Sequence, residues 1–226
     1  MRDIAVIIPA GGTGRRMGAR VPKQFLPLGD QPILLHSVRT FERIAAVRQI
    51  IIAVPAEYVD RTRRLLRQGR CRKVTAVVEG GRERQDSVRM ALERMEGEPS
   101  LVLIHDAVRP LVSLRVVREV IVAAERWGAA VVGVRVKDTI KTEGRHGFYG
   151  STIPRHLLWA VQTPQGFHTH LIVKAHRLAR RARYTGTDDA SLVERLRIPV
   201  RIVEGSYRNL KITTKDDLRI AGLWLP

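Results

Sequence analysis

Residues 9–24, Pro-Ala-Gly-Gly-Thr-Gly-Arg-Arg-Met-Gly-Ala-Arg-Val-Pro-Lys-Gln, combine backbone freedom with positive charge. Glycines let the main chain approach a ligand closely and turn successive N–H groups toward it. Gly11, Gly12 and Gly14 supply that freedom, and Arg15, Arg16 and Lys23 follow with cations. Together they suit a polyphosphate. The string is not a P-loop, because no Lys-Ser or Lys-Thr follows in the G-x-x-x-x-G-K-S/T spacing. Nor is it a dinucleotide fingerprint. Counted from Gly12, the last position of G-x-G-x-x-G falls on Met17, and Gly18 comes one residue late.

Two further stretches hold chemistry. In Gly80-Gly81-Arg82-Glu83-Arg84-Gln85-Asp86-Ser87-Val88, paired glycines leave room for a flat ligand against the backbone. A helix is expected to begin near Ser87, whose hydroxyl suits either a base, a phosphate or a plain helix cap. In His105-Asp106-Ala107-Val108-Arg109-Pro110, Asp106 can accept from ribose hydroxyls or touch a Mg²⁺ held mainly by phosphates. Arg109 suits a bidentate substrate phosphate or an ion pair with Asp106. His105 follows apolar Ile104 and reads as a hydrogen-bonded core histidine rather than a base. His168 and His170 have no Cys, Asp or Glu beside them to complete a zinc set, and read as surface residues.

The elements that must position these residues alternate. Strand-like apolar runs fall at 4–8, 49–54, 74–78, 101–104 and 129–136, with amphipathic patterns at 32–44, 56–68, 84–95 and 113–126. Strands separated by helices of this length imply crossover connections and a parallel sheet, an α/β fold in three layers of Rossmann-like type. Ligands in such sheets sit beyond the carboxyl ends of the strands, which is where the glycines and Asp106 fall. Residues 137–158 break the pattern. They are polar, with Gly144, Gly147 and Gly150 close together, and read as a protruding β-hairpin arm. Beyond it, 159–167 reads as strand and loop, 168–183 and 188–196 as helices, 198–203 as a strand and 214–224 as a closing helix capped by Thr213 or Thr214.

At 226 residues the chain suits one domain over 1–226, with the arm at about 137–158 as its appendage. The formal net charge is +18, from 40 Lys+Arg against 22 Asp+Glu, but only seven of the basic residues are lysines. The arginines are scattered over every expected helix, and aromatics make up only 5%. That argues against a nucleic-acid footprint and for solvated faces that favour anionic substrates. No stretch of 18 apolar residues is present, so no membrane partner is expected. One cysteine, Cys71, leaves no intramolecular disulfide, and with no signal peptide before the first strand a cytoplasmic location is expected.

The whole of 9–24 resembles the signature of nucleotidyltransferases that join a nucleoside triphosphate to a sugar or polyol phosphate. More specifically, the chain is similar throughout to the 2-C-methyl-D-erythritol 4-phosphate cytidylyltransferases. The resemblance is carried by residues 9–18, Pro22-Lys23-Gln24-Phe25, Gly80 to Arg84 with Ser87-Val88, and His105-Asp106-Ala107 with Arg109-Pro110. It continues through Asp138-Thr139-Ile140-Lys141, Gln162-Thr163-Pro164-Gln165, Thr187-Asp188-Asp189-Ala190 and Asn209 to Thr213. It implies transfer of CMP from CTP to 2-C-methyl-D-erythritol 4-phosphate with release of pyrophosphate, a step of non-mevalonate isoprenoid synthesis. Ribitol 5-phosphate is the alternative acceptor. It also implies Ala10, Gly11, Gly12, Gly14, Gly81, Ser87, Asp106 and Ala107 around CTP, and Arg16 and Lys23 as the catalytic pair at the α-phosphate. Arg109, Thr139, Arg155, Thr163 and Lys211 are implied at the polyol phosphate. Mg²⁺ is implied as cofactor, carried mainly by the CTP phosphates with Asp106 as a candidate additional ligand. The arm is implied to reach into the second subunit of a homodimer.

Overall fold

The computed structural model describes residues 3–12 and 21–225. Its central sheet has seven strands. In chain order they are β1 (Ile4–Pro9), β4 (Val47–Val54), β5 (Val74–Glu79), β6 (Leu101–Ile104), β7 (Ala129–Arg135), β10 (Trp159–His168) and β11 (Arg201–Glu204). Among the described residues two small hairpins supply the other strands, β2 (Pro27–Leu28) with β3 (Gln31–Pro32), and β8 (Ile140–Glu143) with β9 (Tyr149–Ile153). The spatial order is β11-β7-β10-β6-β1-β4-β5.

Side chains alternate along the strands, so each strand feeds two cores. Ile4, Val6 and Ile8 of β1 face the helices α1 (Ile33–Glu42), α2 (Val59–Gln68) and α4 (Leu114–Trp127). Ala5 and Ile7 face α3 (Arg84–Leu92), α5 (Thr169–Arg181) and α6 (Asp189–Glu194). Both faces are buried, which is why the strands read as unbroken apolar runs. A last helix, α7 (Lys215–Leu223), starts at Thr214, whose side chain accepts from Asp217 N.

The expected crossovers produce parallel pairing of β1 with β4 and β6, of β4 with β5, and of β7 with β11. The exception is β10, antiparallel to both β6 and β7. No α-helix intervenes between β7 and β10, so the chain returns without a crossover, as a hairpin does. The arm is an excursion from the turn of that hairpin. Within it Ile140 pairs with Ile153 and Lys141 with Thr152, and Arg145–Gly147 form its tip.

The reversal of β10 has a consequence for the site. Gln165 lies opposite Ile104, the last residue of β6. The residues before it, Gln162 and Thr163, therefore extend past the carboxyl end of β6, beside His105 and Asp106. Pairing with β7 skips two residues here, from Gln162 opposite Val132 to Gln165 opposite Val131, where Pro164 has no N–H to offer.

Candidate active site

Three strand ends build the first cleft, of about 370 Å³. After β1, the Ala10 N–H donates to Ala53 O at 2.7 Å, and the buried Gln24 amide donates to Ala10 O. Gln24 belongs to the short turn Lys23–Phe25, so the same turn that pins Ala10 delivers Lys23. A Cβ built on Gly12 would sit 3.4 Å from Lys23 Cε, so the lysine stem lies directly over the glycine. Ala10, Gly11, Gly12 and Lys23 all line the cleft. Gly14 and Arg16 lie outside the described residues.

After β5, Gly80 and Gly81 are required by close packing. A Cβ would come within 2.8 Å of Ser87 Oγ at Gly80 and within 2.2 Å of Asp86 Cβ at Gly81. α3 starts at Arg84, where the amphipathic pattern begins and ahead of the start expected near Ser87, so Ser87 lies inside its first turn. Its hydroxyl accepts from the Gly81 N–H at 3.1 Å and donates to Glu83 O at 3.1 Å. Ser87 thus lines the cleft while fixing the glycine turn.

After β6, Asp106 is the hub. Arg84 Nε donates to its Oδ1 at 3.1 Å, Lys211 Nζ lies 2.9 Å from Oδ2 and Arg109 Nε lies 3.5 Å from Oδ2. Burial opposes the charge on Asp106, but Arg84, Lys211 and Arg109 overcome it and hold the carboxyl far below the ordinary carboxylate range. The Asp106 N–H donates to Thr163 Oγ1 at 3.0 Å. Arg109 is itself buried, which lowers its pKa, and Nη1 donates to Asn209 O at 2.8 Å. The Asp106–Arg109 ion pair is therefore real, and it leaves Arg109 lining a second cleft.

That second cleft, of about 310 Å³, lies on the other side of Asp106. Arg109, Gln162, Thr163, Asp188 and Lys211 line it, and it shares Arg84, Asp106 and Lys211 with the first. His105 is fully buried beneath both. Its Nε2 lies 3.1 Å from Arg109 O, a pure acceptor, so Nε2 carries the hydrogen. Nδ1, 3.1 Å from Thr163 Oγ1, then accepts from the threonine. Burial pushes the ring pKa down to about 4. This is the satisfied core histidine expected from sequence.

Thr139 and Arg155 are not brought to these clefts. Both are exposed on the arm, where Arg155 Nη1 donates to Lys137 O at 2.8 Å. His168 is half-buried against Glu125 O at 3.2 Å, and His170 is exposed beside it. Arg84 and Asp189 were given no role by the motifs that contain them. Asp189, buried at the start of α6, accepts from Arg84 Nη1 at 2.6 Å. Burial opposes charge on both, but Asp189 and Asp106 together raise Arg84, while Arg84 and the His176 hydrogen bond lower Asp189.

Cations thus converge where the charge of a triphosphate would lie, over a floor of glycine backbone at the carboxyl edge of a doubly covered sheet. The arrangement is of the nucleotidyltransferase class. The sequence pattern of the 2-C-methyl-D-erythritol 4-phosphate cytidylyltransferases matches residues 4–226, and the chain belongs to that family. A relative of that description from Symbiobacterium thermophilum is 49% identical, over 98% of this chain and 92% of that protein. One from Geobacillus kaustophilus is 47% identical over 95% and 93%. The crystal structure of 2-C-methyl-D-erythritol 4-phosphate cytidylyltransferase from Thermus thermophilus superposes with a TM-score of 0.81 at 36% identity, covering 98% of each chain. Among the described residues no helix is long and apolar enough to cross a membrane.

Proposed function

We infer that this chain transfers CMP from CTP to 2-C-methyl-D-erythritol 4-phosphate, giving the CDP-polyol and pyrophosphate. The observation that carries this is the pair of clefts meeting on Asp106, Arg84 and Lys211. One has the glycine floor that suits a nucleotide, the other the cations that suit a small phosphate. Ala10, Gly11, Gly81 and Ser87 frame the cytosine, and Ala107 and a remaining lone pair of Asp106 serve the ribose.

A phosphate oxygen of the acceptor attacks the α-phosphorus in line. One P–O bond forms while the bond to the β-phosphate breaks, and its electron pair leaves with pyrophosphate. The nucleophile brings its own negative charge, so no general base is needed, consistent with a buried neutral His105. Lys23 and Arg16 stabilise the charge that builds on the α-phosphate oxygens. Arg109, Thr163 and Lys211 hold the acceptor phosphate side, joined by Thr139 and Arg155 from the arm of a second copy. The exposed Phe148, Tyr149 and Leu157 give that arm an apolar surface to bury.

We take Mg²⁺ to arrive with the nucleotide. Both Asp106 oxygens are engaged by cations, and the described residues hold no cluster of three His, Cys, Asp or Glu. That donor set fits an ion riding on phosphates, where it would neutralise charge on the leaving pyrophosphate.

Pyrophosphate release tests the reading. CTP with 2-C-methyl-D-erythritol 4-phosphate should turn over, and ribitol 5-phosphate, ATP or GTP in place of either partner should not. Equal rates with a purine triphosphate, or none with the methylerythritol phosphate, would overturn it.

A further inference from the structure

The buried stripe of α5 is apolar at Ile172, Ala175 and Ala179, but His176 stands within it, 2% exposed. Its Nε2 lies 3.0 Å from Asp189 Oδ1 and so carries the hydrogen between them. Its Nδ1 has no partner among the described residues. A buried ring with an unpaired nitrogen costs free energy that an apolar side chain would not, so packing alone does not account for a histidine here. What the histidine does is satisfy one oxygen of Asp189. The other oxygen accepts from Arg84 Nη1 at 2.6 Å, and Arg84 Nε donates to Asp106 Oδ1 at 3.1 Å. Three hydrogen bonds in series join α5, through α6 and α3, to the carboxylate shared by both clefts.

We propose that His176 is a positioning residue for the transfer reaction: by fixing Asp189 it sets the plane of the Arg84 guanidinium, and through it the Asp106 carboxylate. A guanidinium is a rigid planar fork, so two carboxylates bound at Nε and Nη1 leave it one orientation. Arg84 lines both clefts, and Nη2 is its donor group not engaged within the described chain. Without the histidine hydrogen, Asp189 Oδ1 is a buried acceptor with nothing to accept. The carboxylate then turns to share Arg84 between both oxygens, and the guanidinium turns with it. Misplacement of a group that aligns reactants is felt in the transition state more than in the fold.

This inference rests on the cytidylyl-transfer reading, and a binding measurement separates the two. His176→Leu keeps bulk and removes the donor, while His176→Gln keeps an N–H that can reach the place of Nε2. With the leucine variant, kcat/KM should fall by about tenfold or more, and with glutamine it should return to within about threefold of the wild type. In an Arg84→Ala background, His176→Leu should cause no further loss, since the path is already cut. By calorimetry, CTP should bind the leucine variant about fivefold more weakly than the wild type. If the leucine variant does not fold, His176→Asn takes its place, because its shorter amide cannot reach Asp189. Equal activity of the leucine (or asparagine) and glutamine variants, or losses that add to that of Arg84→Ala, would overturn the proposal. Absence of turnover by the wild type would instead overturn the reaction, and the CTP affinities would still decide the role of His176.

Discussion

His105 shows how a buried residue at the site couples folding to pH. In the unfolded chain it takes up a proton below its ordinary value of 6.5, whereas burial delays this in the folded protein to about 4. Between those limits the unfolded state binds more protons, so stability falls as pH falls, and the loss ends below about 4. Asp106 and Asp189, lowered by Arg84, contribute in the same direction but only once the pH drops below the ordinary carboxylate range. A comparison of pH 7 with pH 5 therefore leaves those two carboxylates out, and the difference from a His105 variant singles out that ring. Urea unfolding should show the wild type losing about 2 kcal/mol more than His105→Gln over that interval. Parallel losses in both proteins would contradict the assignment. Lys23 is tested by turnover: Lys23→Ala should lower kcat by about 100- to 1,000-fold with its unfolding midpoint little changed, as expected on losing one preorganised charge at a transition state. Near-normal turnover would remove Lys23 from the mechanism. At this scale the sequence was informative where partners are neighbours in the chain. Lys23 and Gly12 lie within a dozen residues of each other, and Asp106 and Arg109 share one turn. The cluster around Arg84 was hidden because its carboxylates lie 22 and 105 positions away, and His176 because a lone histidine on a helix carries no signal of its bond to Asp189.

Among the elements, the alternating runs located nearly every strand and helix, since each has to bury an apolar face. They did not reveal the direction of β10, which depends on the absence of a crossover helix and not on its own residues. That direction is what brings Thr163 to Asp106, so the periodicity left Thr163 unplaced and only the family resemblance pointed to it. The strand also crosses beneath α4 at Gly166. A Cβ there would lie 2.9 Å from Val120 Cγ1, 3.0 Å from Leu103 Cδ2 and 3.1 Å from Ala124 Cβ. All three neighbours are fully buried and have nowhere to retreat. Gly166→Ala should therefore destabilise the protein by about 1–3 kcal/mol through overpacking, measured by urea denaturation. A gain in stability, as relief of backbone entropy alone would give, would show that α4 can move aside.

For the molecule as a whole, the arm carries the proposal of a second copy. Thr139 and Arg155 lie on it, away from the clefts of their own chain, with Phe148 75% and Tyr149 79% exposed. If two copies exchange arms about a two-fold axis, each site takes Lys23 from one chain and Arg155 from the other. Lys23→Ala and Arg155→Ala should then each be nearly inactive as pure proteins. Mixed in equal amounts under conditions of subunit exchange, about half the dimers should contain one chain of each kind. In such a dimer one site carries both lesions. The other joins the intact Lys23 of the Arg155→Ala chain to the intact Arg155 of the Lys23→Ala chain. Roughly a quarter of all sites are then wild type, and activity should rise toward that fraction. Were both residues to act within a single chain, no mixture could ever repair a site. Exchange can be followed independently by labelling each variant at its terminus. Exchange without recovery would reject the shared site, and leave Arg155 without a route to the acceptor.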